Sequence, residues 1–233
     1  MRVLISGGAA IDPAILQFFN DLGFIAVQGY GLSECAPMGA LNPDQHKYMR
    51  NASVGHILPG MDVKIEDKDE DGIGEICLKG DNVMLGYYKN EEATREAIDA
   101  DGWLHTGDLA LMDAEGNITI KGRSKNMLLG SSGQNIYPEE IEDKLNNMPY
   151  VAESIIVQQN EKLVGLVYPD FDDAFAHGLT TADIERVMEE NRATLNTMLP
   201  AYSQIFKMKI YPEEFEKTPK RSIKRFLYQE AKG

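Results

Sequence analysis

The chain has 233 residues, 43% of them hydrophobic and 26% charged, which is the composition of a globular protein large enough to bury a core. Its formal net charge of −14 argues against nucleic acid as its main partner. Its apolar runs are shorter than the roughly 18 residues that a membrane-spanning helix needs, so no membrane span is expected.

Two further features bear on where the protein works. The apolar stretch at residues 1–5 is too short for a secretory signal, which makes a cytoplasmic location the expectation. The two cysteines, Cys35 and Cys77, have neither the number for a disulfide framework nor the spacing of a metal-binding motif.

The first 50 residues have the pattern of an α/β unit. A short apolar strand is predicted over residues 2–6, then a helix that begins at Pro13 and ends at Gly23, then a second buried strand over residues 24–28. Strand, helix and strand in this order are the unit of a parallel sheet.

Residues 29–34 follow the second strand and place reactive groups at its end. Glycines turn the chain and expose the Ser33 hydroxyl and the Glu34 carboxylate at the carboxyl end of a strand, where α/β folds bind ligands. By itself the segment is also compatible with a plain loop, and Cys35 beside it with simple packing.

Residues 51–122 predict a small, distorted β-barrel. Residues 61–66 and 73–79 alternate as two strands around an acidic turn, and a short helix covers residues 91–98. We interpret Tyr87 and Tyr88 as wall or core residues.

The barrel region ends in a segment with several turn signals. His105-Thr106-Gly107-Asp108 predicts a tight glycine turn that carries the Asp108 carboxylate, for which a capping role is the alternative. A second turn at residues 113–116 leads into a strand at residues 118–121.

The rest of the chain predicts a compact α+β lobe. Pro138 and the two acids after it begin a helix, residues 153–158 and 162–168 form a strand pair around a turn at residues 160–161, and a capping box of Thr180 and Asp183 begins a second helix. A third strand follows at residues 204–210. The apolar face of the second helix is predicted to comprise Ile184, Val187, Met188, Leu195 and Met198.

The last 27 residues carry a positive net charge, unlike the chain as a whole, with 8 basic side chains and 4 acidic ones. A basic tail on an acidic protein could face a phosphate ligand, or it could be a solvated tail.

Three linked motifs resemble those of the acyl-adenylate-forming superfamily, which includes acyl-CoA synthetases, peptide-synthetase adenylation domains and luciferases. They are the segment from Trp103 to Asp108, the segment from Gly122 to Asn126, and a glycine loop followed by Pro138-Glu139-Glu140-Ile141-Glu142. The likeness is greatest to bacterial long-chain fatty acyl-CoA ligases.

The resemblance implies a domain plan and a nucleotide site. Residues 1–122 would be the C-terminal part of the large AMP-binding domain (1–50 a sheet and helix piece, 51–122 barrel-like), 123–126 a hinge, and 127–233 a small mobile α+β domain. The residues implied to bind nucleotide are Tyr30 beside the adenine, Gly31, Ser33 at the α-phosphate, and Asp108 and Arg123 at the ribose, with Glu34 as a catalytic residue that holds Mg²⁺.

The resemblance also implies sites at and beyond the hinge. Lys125 and Asn126 match the residues about which the small domain rotates between adenylation and thioester formation. The loop Gly130, Ser131, Ser132 and Gly133 would line the tunnel for the pantetheine arm of CoA, with a flexible connector as the alternative.

The tail departs from the family pattern. The closing motif matches at Lys217, Thr218, Ile223 and Arg225, but Ser222 stands where the family has its catalytic lysine and Arg221 where it has glycine. If this segment is extended, Lys220 and Lys224 share a face with Ser222 and could supply the missing charge. Weak adenylation is the alternative.

The function implied by the resemblance is an ATP-dependent ligase that activates a long-chain fatty acid as acyl-AMP and transfers it to CoA, with ATP/AMP, Mg²⁺ and CoA as cofactors. The family's phosphate loop is not found in this sequence, so we expect a fragment that is inactive alone and that risks self-association through an exposed sheet edge. The alternatives are an amino- or aryl-acid adenylating enzyme and a non-catalytic nucleotide-binding or interaction module.

Overall fold

The computed structural model describes residues 3–8, 11–130, 132–219 and 221–229, and for His46 the backbone only. Within it the chain divides into two compact units, Met1–Lys125 and Asn126–Gly233. No helix among the described residues is long and apolar enough to cross a membrane.

The first unit begins with the predicted parallel βαβ element. Strand β1 (Val3–Ser6) pairs in parallel with β2 (Ile25–Tyr30), and helix α1 (Pro13–Asp21) connects them. The helix begins where the Asp12 carboxylate accepts a hydrogen bond from the Ala14 N–H and Pro13 takes the first turn. Strand β2 continues two residues beyond its predicted end, so Tyr30 is a strand residue.

Two short strands continue this sheet. They are β3 (Ala40–Leu41) and β4 (His56–Ile57), and the sheet order is β1-β2-β3-β4. Strand β1 is therefore an edge strand of the described sheet, and Ile5 on it is 56% exposed.

The predicted barrel-like region is a four-stranded antiparallel sheet in the order β5-β6-β7-β8. An isolated bridge between Gly55 and Ile118 ties this sheet to the segment before it. The core beneath it is apolar and includes Ile76, Leu78 and Leu104. The strands are β5 (Met61–Glu66), β6 (Gly74–Gly80), β7 (Leu104–Met112) and β8 (Ile118–Arg123), with helix α2 (Glu91–Ala97) between β6 and β7.

The second unit begins with a short hairpin and a helix. Strands β9 (Leu128–Leu129) and β10 (Asn135–Ile136) pair antiparallel, so the glycine loop is the tip of a hairpin. Helix α3 (Pro138–Asn146) begins at the predicted proline.

A three-stranded sheet forms the centre of the second unit. Strand β11 (Val151–Gln159) pairs antiparallel with β12 (Lys162–Pro169), and β12 pairs in parallel with β13 (Ile205–Ile210). The predicted turn between β11 and β12 is confirmed, since Asn160 and Glu161 both adopt positive φ, at 48° and 61°.

Helices α4 (Phe171–Ala176) and α5 (Thr181–Thr197) lie between β12 and β13. The capping box of Thr180 and Asp183 is confirmed, whereas α4 was not predicted. The prediction was wrong for Met198, which is 55% exposed because it caps the helix end rather than extending its apolar face. The buried residues of that face are Ile184, Met188, Asn191 and Leu195.

The observed architecture confirms the predicted α/β and α+β fold class: a parallel βαβ piece and a four-stranded antiparallel sheet, where a distorted β-barrel was predicted, are followed by an α+β unit.

Candidate functional site

Asp108 is the centre of a side-chain cluster to which three strands contribute. Its Oδ2 accepts a hydrogen bond from the Tyr30 hydroxyl at 2.6 Å, and its Oδ1 lies 2.8 Å from Arg123 Nε. Tyr30 ends β2 and Arg123 ends β8, while Asp108 lies within β7. The Asp108 side chain is only 8% exposed, so the cluster is a buried carboxylate held by a phenol and a guanidinium.

The backbone around Gly107 sets the position of that carboxylate. The predicted tight glycine turn was wrong, because residues 105–108 lie inside β7 as a bulge. Opposite this bulge, Glu75 pairs with Leu109 and Cys77 with His105, so β7 carries two residues more than β6 at this point. Gly107 has φ of +69°, which a residue with a side chain rarely adopts.

Three hydrogen bonds stabilise the bulge. The Gly107 N–H donates to Glu75 Oε1 at 2.7 Å, the Asp108 N–H donates to Thr106 Oγ1 at 3.1 Å, and the Thr106 hydroxyl donates to the Ile76 carbonyl at 2.7 Å. Arg123 Nη1 also donates to the Thr106 carbonyl at 3.0 Å. The bulge is thereby tied to both neighbouring strands.

The electrostatic surroundings keep the Tyr30 hydroxyl protonated, so that it can donate a hydrogen bond. Burial and the neighbouring Asp108 charge both raise the pKa of Tyr30 far above its ordinary range. The phenol therefore remains protonated at neutral pH and donates to the carboxylate.

The turn after Tyr30 requires glycine at its start. A Cβ on Gly31 would lie 1.9 Å from the Pro37 carbonyl oxygen, so no larger residue fits. Residues Ser33–Cys35 then form a 3-10 turn that leaves Ser33 exposed and Glu34 half-buried. Cys35 is fully buried, in agreement with a packing role.

Glu34 has a partner that the sequence did not reveal. Its Oε1 accepts a hydrogen bond from the Tyr87 hydroxyl at 2.9 Å, and burial followed by this bond raises the pKa of Tyr87. The interpretation of both tyrosines as wall or core residues was wrong for Tyr88, which is 88% exposed, while Tyr87 is 39% exposed and is bonded to a candidate catalytic residue.

These groups suit a nucleotide and a hard cation. A carboxylate can accept about four hydrogen bonds, so Asp108 can receive ribose hydroxyls alongside Tyr30 and Arg123. Mg²⁺ commonly takes one or two protein carboxylates together with phosphate and water oxygens, which the half-buried Glu34 can satisfy.

The predicted hinge residues lie at the boundary between the two units. Lys125 is exposed in a 3-10 turn, Ser124–Asn126, and the Asn126 side chain donates to Glu139 Oε1 at 2.6 Å. The glycine loop beyond closes through Gly130 N–H to the Gln134 carbonyl at 2.8 Å. Ser132 is exposed in this loop and Gly133 has φ of +86°, while Ser131 lies outside the described residues.

The tail forms a tight turn where the structure describes it, so the extended conformation that would place Lys220 and Lys224 on one face with Ser222 is not found there. The Thr218 N–H donates to the Ser222 carbonyl at 2.8 Å, and Lys217 bridges antiparallel to Ile223. Arg221 has φ of +63° at the position where the family has glycine, which accounts for that residue type in relatives. Ser222 is exposed at this turn.

Three cations of the tail have defined partners. Lys224 lies 3.1 Å from Glu216, and Lys217 lies 2.5 Å from Glu153. Arg225 forms a buried ion pair with Glu142 of α3. Lys220 lies outside the described residues.

Sequence reasoning missed two further contributors to the Asp108 cluster. Thr106 and Glu75 both hold the Gly107 bulge, and both were visible only as parts of motifs. The two residues lie on different strands, about thirty positions apart, so no local sequence pattern indicates that they meet at the bulge.

Comparison with known proteins agrees with this geometry. Residues 1–88 match the AMP-binding enzyme family, and residues 125–231 match the AMP-binding enzyme C-terminal domain. A long-chain-fatty-acid–CoA ligase of Escherichia coli O6:H1 is 42% identical over 159 residues, which are 66% of this chain and 28% of the relative.

A second relative acts on a different acid. The 3-[(3aS,4S,7aS)-7a-methyl-1,5-dioxo-octahydro-1H-inden-4-yl]propanoyl:CoA ligase of Rhodococcus jostii RHA1 is 38% identical over 169 residues, which are 72% of this chain and 32% of the relative. The chain thus spans about a third or less of these two curated relatives.

A solved structure extends the match to both units. The O-succinylbenzoate Coenzyme A synthetase of Bacillus subtilis, in complex with ATP and a magnesium ion, superposes with a TM-score of 0.77 at 25% identity, covering 97% of this chain and 46% of that one. Because the two family models together match residues 1–88 and 125–231, the chain belongs to the acyl-adenylate-forming (AMP-binding) superfamily.

Proposed function

We propose that this chain carries the ribose and magnesium-binding part of an ATP-dependent ligase that converts a long-chain fatty acid to its acyl-CoA. The observation that carries the proposal is the buried Asp108 carboxylate between Tyr30 and Arg123. The reaction has two steps. A carboxylate and ATP give acyl-AMP and pyrophosphate, and a CoA thiolate then displaces AMP.

In this proposal Asp108 binds and orients the nucleotide. Its oxygens accept the two ribose hydroxyls, and Arg123 holds the carboxylate in place. Tyr30 contributes a ring surface for the adenine and fixes the other carboxylate oxygen. The Gly107 bulge holds Asp108 in a fixed position, so little order is lost on binding.

Glu34 and Ser33 would serve the phosphates. A Mg²⁺ ion held by Glu34 would offset charge on the phosphates, and the Ser33 hydroxyl would donate to the α-phosphate. The Tyr87 hydroxyl, which bonds Glu34 Oε1, positions that carboxylate. We propose that Gly130, Ser131, Ser132 and Gly133 line the pantetheine path and that Lys125 and Asn126 form the hinge.

In this proposal the charged residues of the tail determine the rate of acyl-AMP formation. The family's lysine position holds Ser222, which has no charge to stabilise the developing acyl phosphate. We propose that Lys220 or Lys224 supplies that charge, which for Lys224 requires release from Glu216.

Ser222 also favours a second candidate, a nucleotide-binding module that does not adenylate. The two are separated by a chimaera in which this chain replaces the matched segment of the Escherichia coli ligase. We expect acyl-AMP and acyl-CoA from ATP, Mg²⁺, CoA and long-chain fatty acids, and a further rate increase from Ser222→Lys. AMP binding without any acyl-AMP in the chimaera would support the second candidate instead.

The acyl-chain preference is tested with the same chimaera. A graded set of fatty acids should give the highest kcat/KM at long chain lengths. A preference for aryl or polycyclic acids would contradict the long-chain assignment and favour chemistry like that of the Rhodococcus relative.

A further inference from the structure

A cysteine and a histidine meet on the antiparallel sheet of the first unit, among carboxylates that the proposed reaction does not use for chemistry. The strand register places Lys64 opposite Cys77 and Cys77 opposite His105, on β5, β6 and β7. Glu66 pairs with Glu75 in the next row. Residues two apart on a strand share a face, so these side chains converge although they are distant in sequence.

The distances among three of these groups fit a tetrahedral metal centre. Cys77 Sγ lies 3.6 Å from His105 Nδ1 and 3.5 Å from Glu66 Oε2, and His105 Nδ1 lies 3.9 Å from Glu66 Oε2. Zinc bonds of about 2.3 Å to sulfur and about 2.0–2.1 Å to nitrogen and oxygen, at tetrahedral angles, separate ligand atoms by about 3.3–3.6 Å. Only small side-chain shifts are therefore needed.

His105 is oriented as metal-binding histidines usually are. Its Nε2 faces Asp99 Oδ2 at 3.5 Å, while its Nδ1 faces the thiol. Asp99 is itself fixed, because its Oδ1 accepts the backbone N–H groups of Asp101 and Trp103 at 3.0 and 2.9 Å. A carboxylate facing the far nitrogen is the arrangement that metal-binding histidines usually have, and a second carboxylate oxygen, Glu75 Oε2, lies 3.1 Å from Nδ1 itself.

A fourth ligand and an entry path are also present. Glu75 Oε2 lies 3.1 Å from His105 Nδ1, and its Oε1 holds the Gly107 N–H. The Cys77 thiol is buried, but the Glu66 and His105 side chains are 36% and 29% exposed, so an ion can reach the cluster from solvent. Lys64 Nζ lies 2.6 Å from Glu66 Oε1, the oxygen not used in the proposed set, and 4.0 Å from Asp99 Oδ2.

We propose that Glu66 Oε2, Cys77 Sγ and His105 Nδ1 form a binding site for Zn²⁺, with Glu75 or a water as fourth ligand. Zinc accepts this mixed set of sulfur, nitrogen and oxygen donors, whereas magnesium and calcium take oxygen alone. Binding replaces the Cys77 thiol proton with the metal ion, because the thiolate is the form of cysteine that coordinates zinc.

This site is separate from the magnesium proposed at Glu34, and it does not depend on the proposed reaction.

The test uses Co²⁺ as a spectroscopic substitute for Zn²⁺ in the chelator-stripped 233-residue chain. We expect one Co²⁺ per chain, a near-ultraviolet thiolate-to-cobalt charge-transfer band, and displacement of that band by Zn²⁺. Cys77→Ser should abolish the band, and Asp99→Asn should weaken binding about 10–100-fold. Cys35→Ala, which removes the other cysteine, should leave the band unchanged.

His105→Gln gives a second loss of binding if Cys77→Ser does not fold, with circular dichroism as the check on folding. A missing charge-transfer band in the folded wild-type chain would overturn the proposal. So would a band that survives in Cys77→Ser or disappears in Cys35→Ala.

Discussion

The Tyr30 hydroxyl donates a 2.6 Å hydrogen bond to Asp108 across 78 positions of sequence. This bond joins the parallel sheet at the start of the chain to the antiparallel sheet that follows it. Arg123 contacts the other oxygen of the same carboxylate. The buried Asp108 side chain is therefore bonded by residues from both sheets. The candidate ribose site is thus also a structural joint of the first unit.

Tyr30→Phe tests that joint. The substitution keeps the ring but leaves the buried Asp108 carboxylate with one donor fewer, which we expect to cost about 1–3 kcal/mol of unfolding free energy. Urea denaturation followed by fluorescence measures the change. Tyr48→Phe, on an exposed tyrosine, is the matched control and should change stability little. Equal stability of Tyr30→Phe and wild type would show that the bond contributes nothing.

Gly31→Ala tests the close packing of Gly31 against Pro37, which bracket the turn that carries Ser33 and Glu34. A Cβ there would meet the Pro37 carbonyl oxygen at 1.9 Å, so the backbone must shift, at an expected cost of about 1–3 kcal/mol. Gly7→Ala, whose nearest neighbour would be at 3.6 Å, should be nearly neutral. The comparison is made by thermal melting, and similar melting temperatures for the two variants would contradict the packing argument.

The sequence predicted the order and type of most elements, because hydrophobic periodicity and turn residues are local signals. The Asn160-Glu161 turn and the Thr180 capping box are examples. It failed at Gly107, where a glycine that suggested a turn instead makes a bulge inside β7. The competing factor is the Glu75 carboxylate on a neighbouring strand, which stabilises the bulge from outside the local sequence.

The candidate site was predictable where a motif carried it and not where a contact did. Asp108 and Arg123 are motif residues, and they do meet. The contact between Tyr87 and Glu34, and the convergence of Cys77 with His105, depend on strand register. A register cannot be read from two separate segments of one sequence.

The buried pair of Arg225 and Glu142 ties the tail to helix α3. Arg225→Met leaves Glu142 buried without its cation, which we expect to cost about 3–5 kcal/mol. Burial already raises the pKa of Glu142 to about 7 against the opposing effect of Arg225, so the loss should be smaller at acid pH, where Glu142 is protonated.

A double-mutant cycle with Glu142→Leu checks the coupling, with urea unfolding at pH 5 and pH 8 as the measurement. The double variant should lose less than the sum of the single variants, although the Ile156 N–H also loses Glu142 as its acceptor. Lys207→Met, at an exposed position, is the control. Additive losses at both pH values would show that the pair is not coupled.

We predict that the contribution of Asp183 to the stability of the second unit decreases at acid pH. Bonds from the Thr180 hydroxyl and N–H, and from Arg186, lower the pKa of Asp183 to about 2. Its folded-state pKa is below the unfolded value, so its contribution is present above about pH 4 and is lost as pH falls towards 2. The melting-temperature difference between wild type and Asp183→Asn should shrink over that range. A constant difference, or an equal effect from Glu185→Gln on the same helix, would contradict it.

We predict that the isolated 233-residue chain self-associates through β1, the edge strand of the described sheet. Ile5, on the edge strand of the described sheet, is 56% exposed, and Phe18 on helix α1 is 59% exposed, so apolar surface favours pairing with another copy. Light scattering after size exclusion should show concentration-dependent association that Ile5→Lys reduces. Leu227→Lys, on the other unit, should leave it unchanged. A monomer at all concentrations would remove this prediction.

The most direct test of the account is AMP binding to the 233-residue chain by calorimetry, with Asp108→Asn and its control Asp62→Asn. Asp62 is an exposed carboxylate on the same sheet. We predict that wild type and Asp62→Asn bind AMP alike, and that Asp108→Asn binds at least about tenfold more weakly, because a charged acceptor of ribose hydroxyls is lost. Equal affinity of all three would show that Asp108 does not hold the ribose, and the proposed nucleotide site would be wrong.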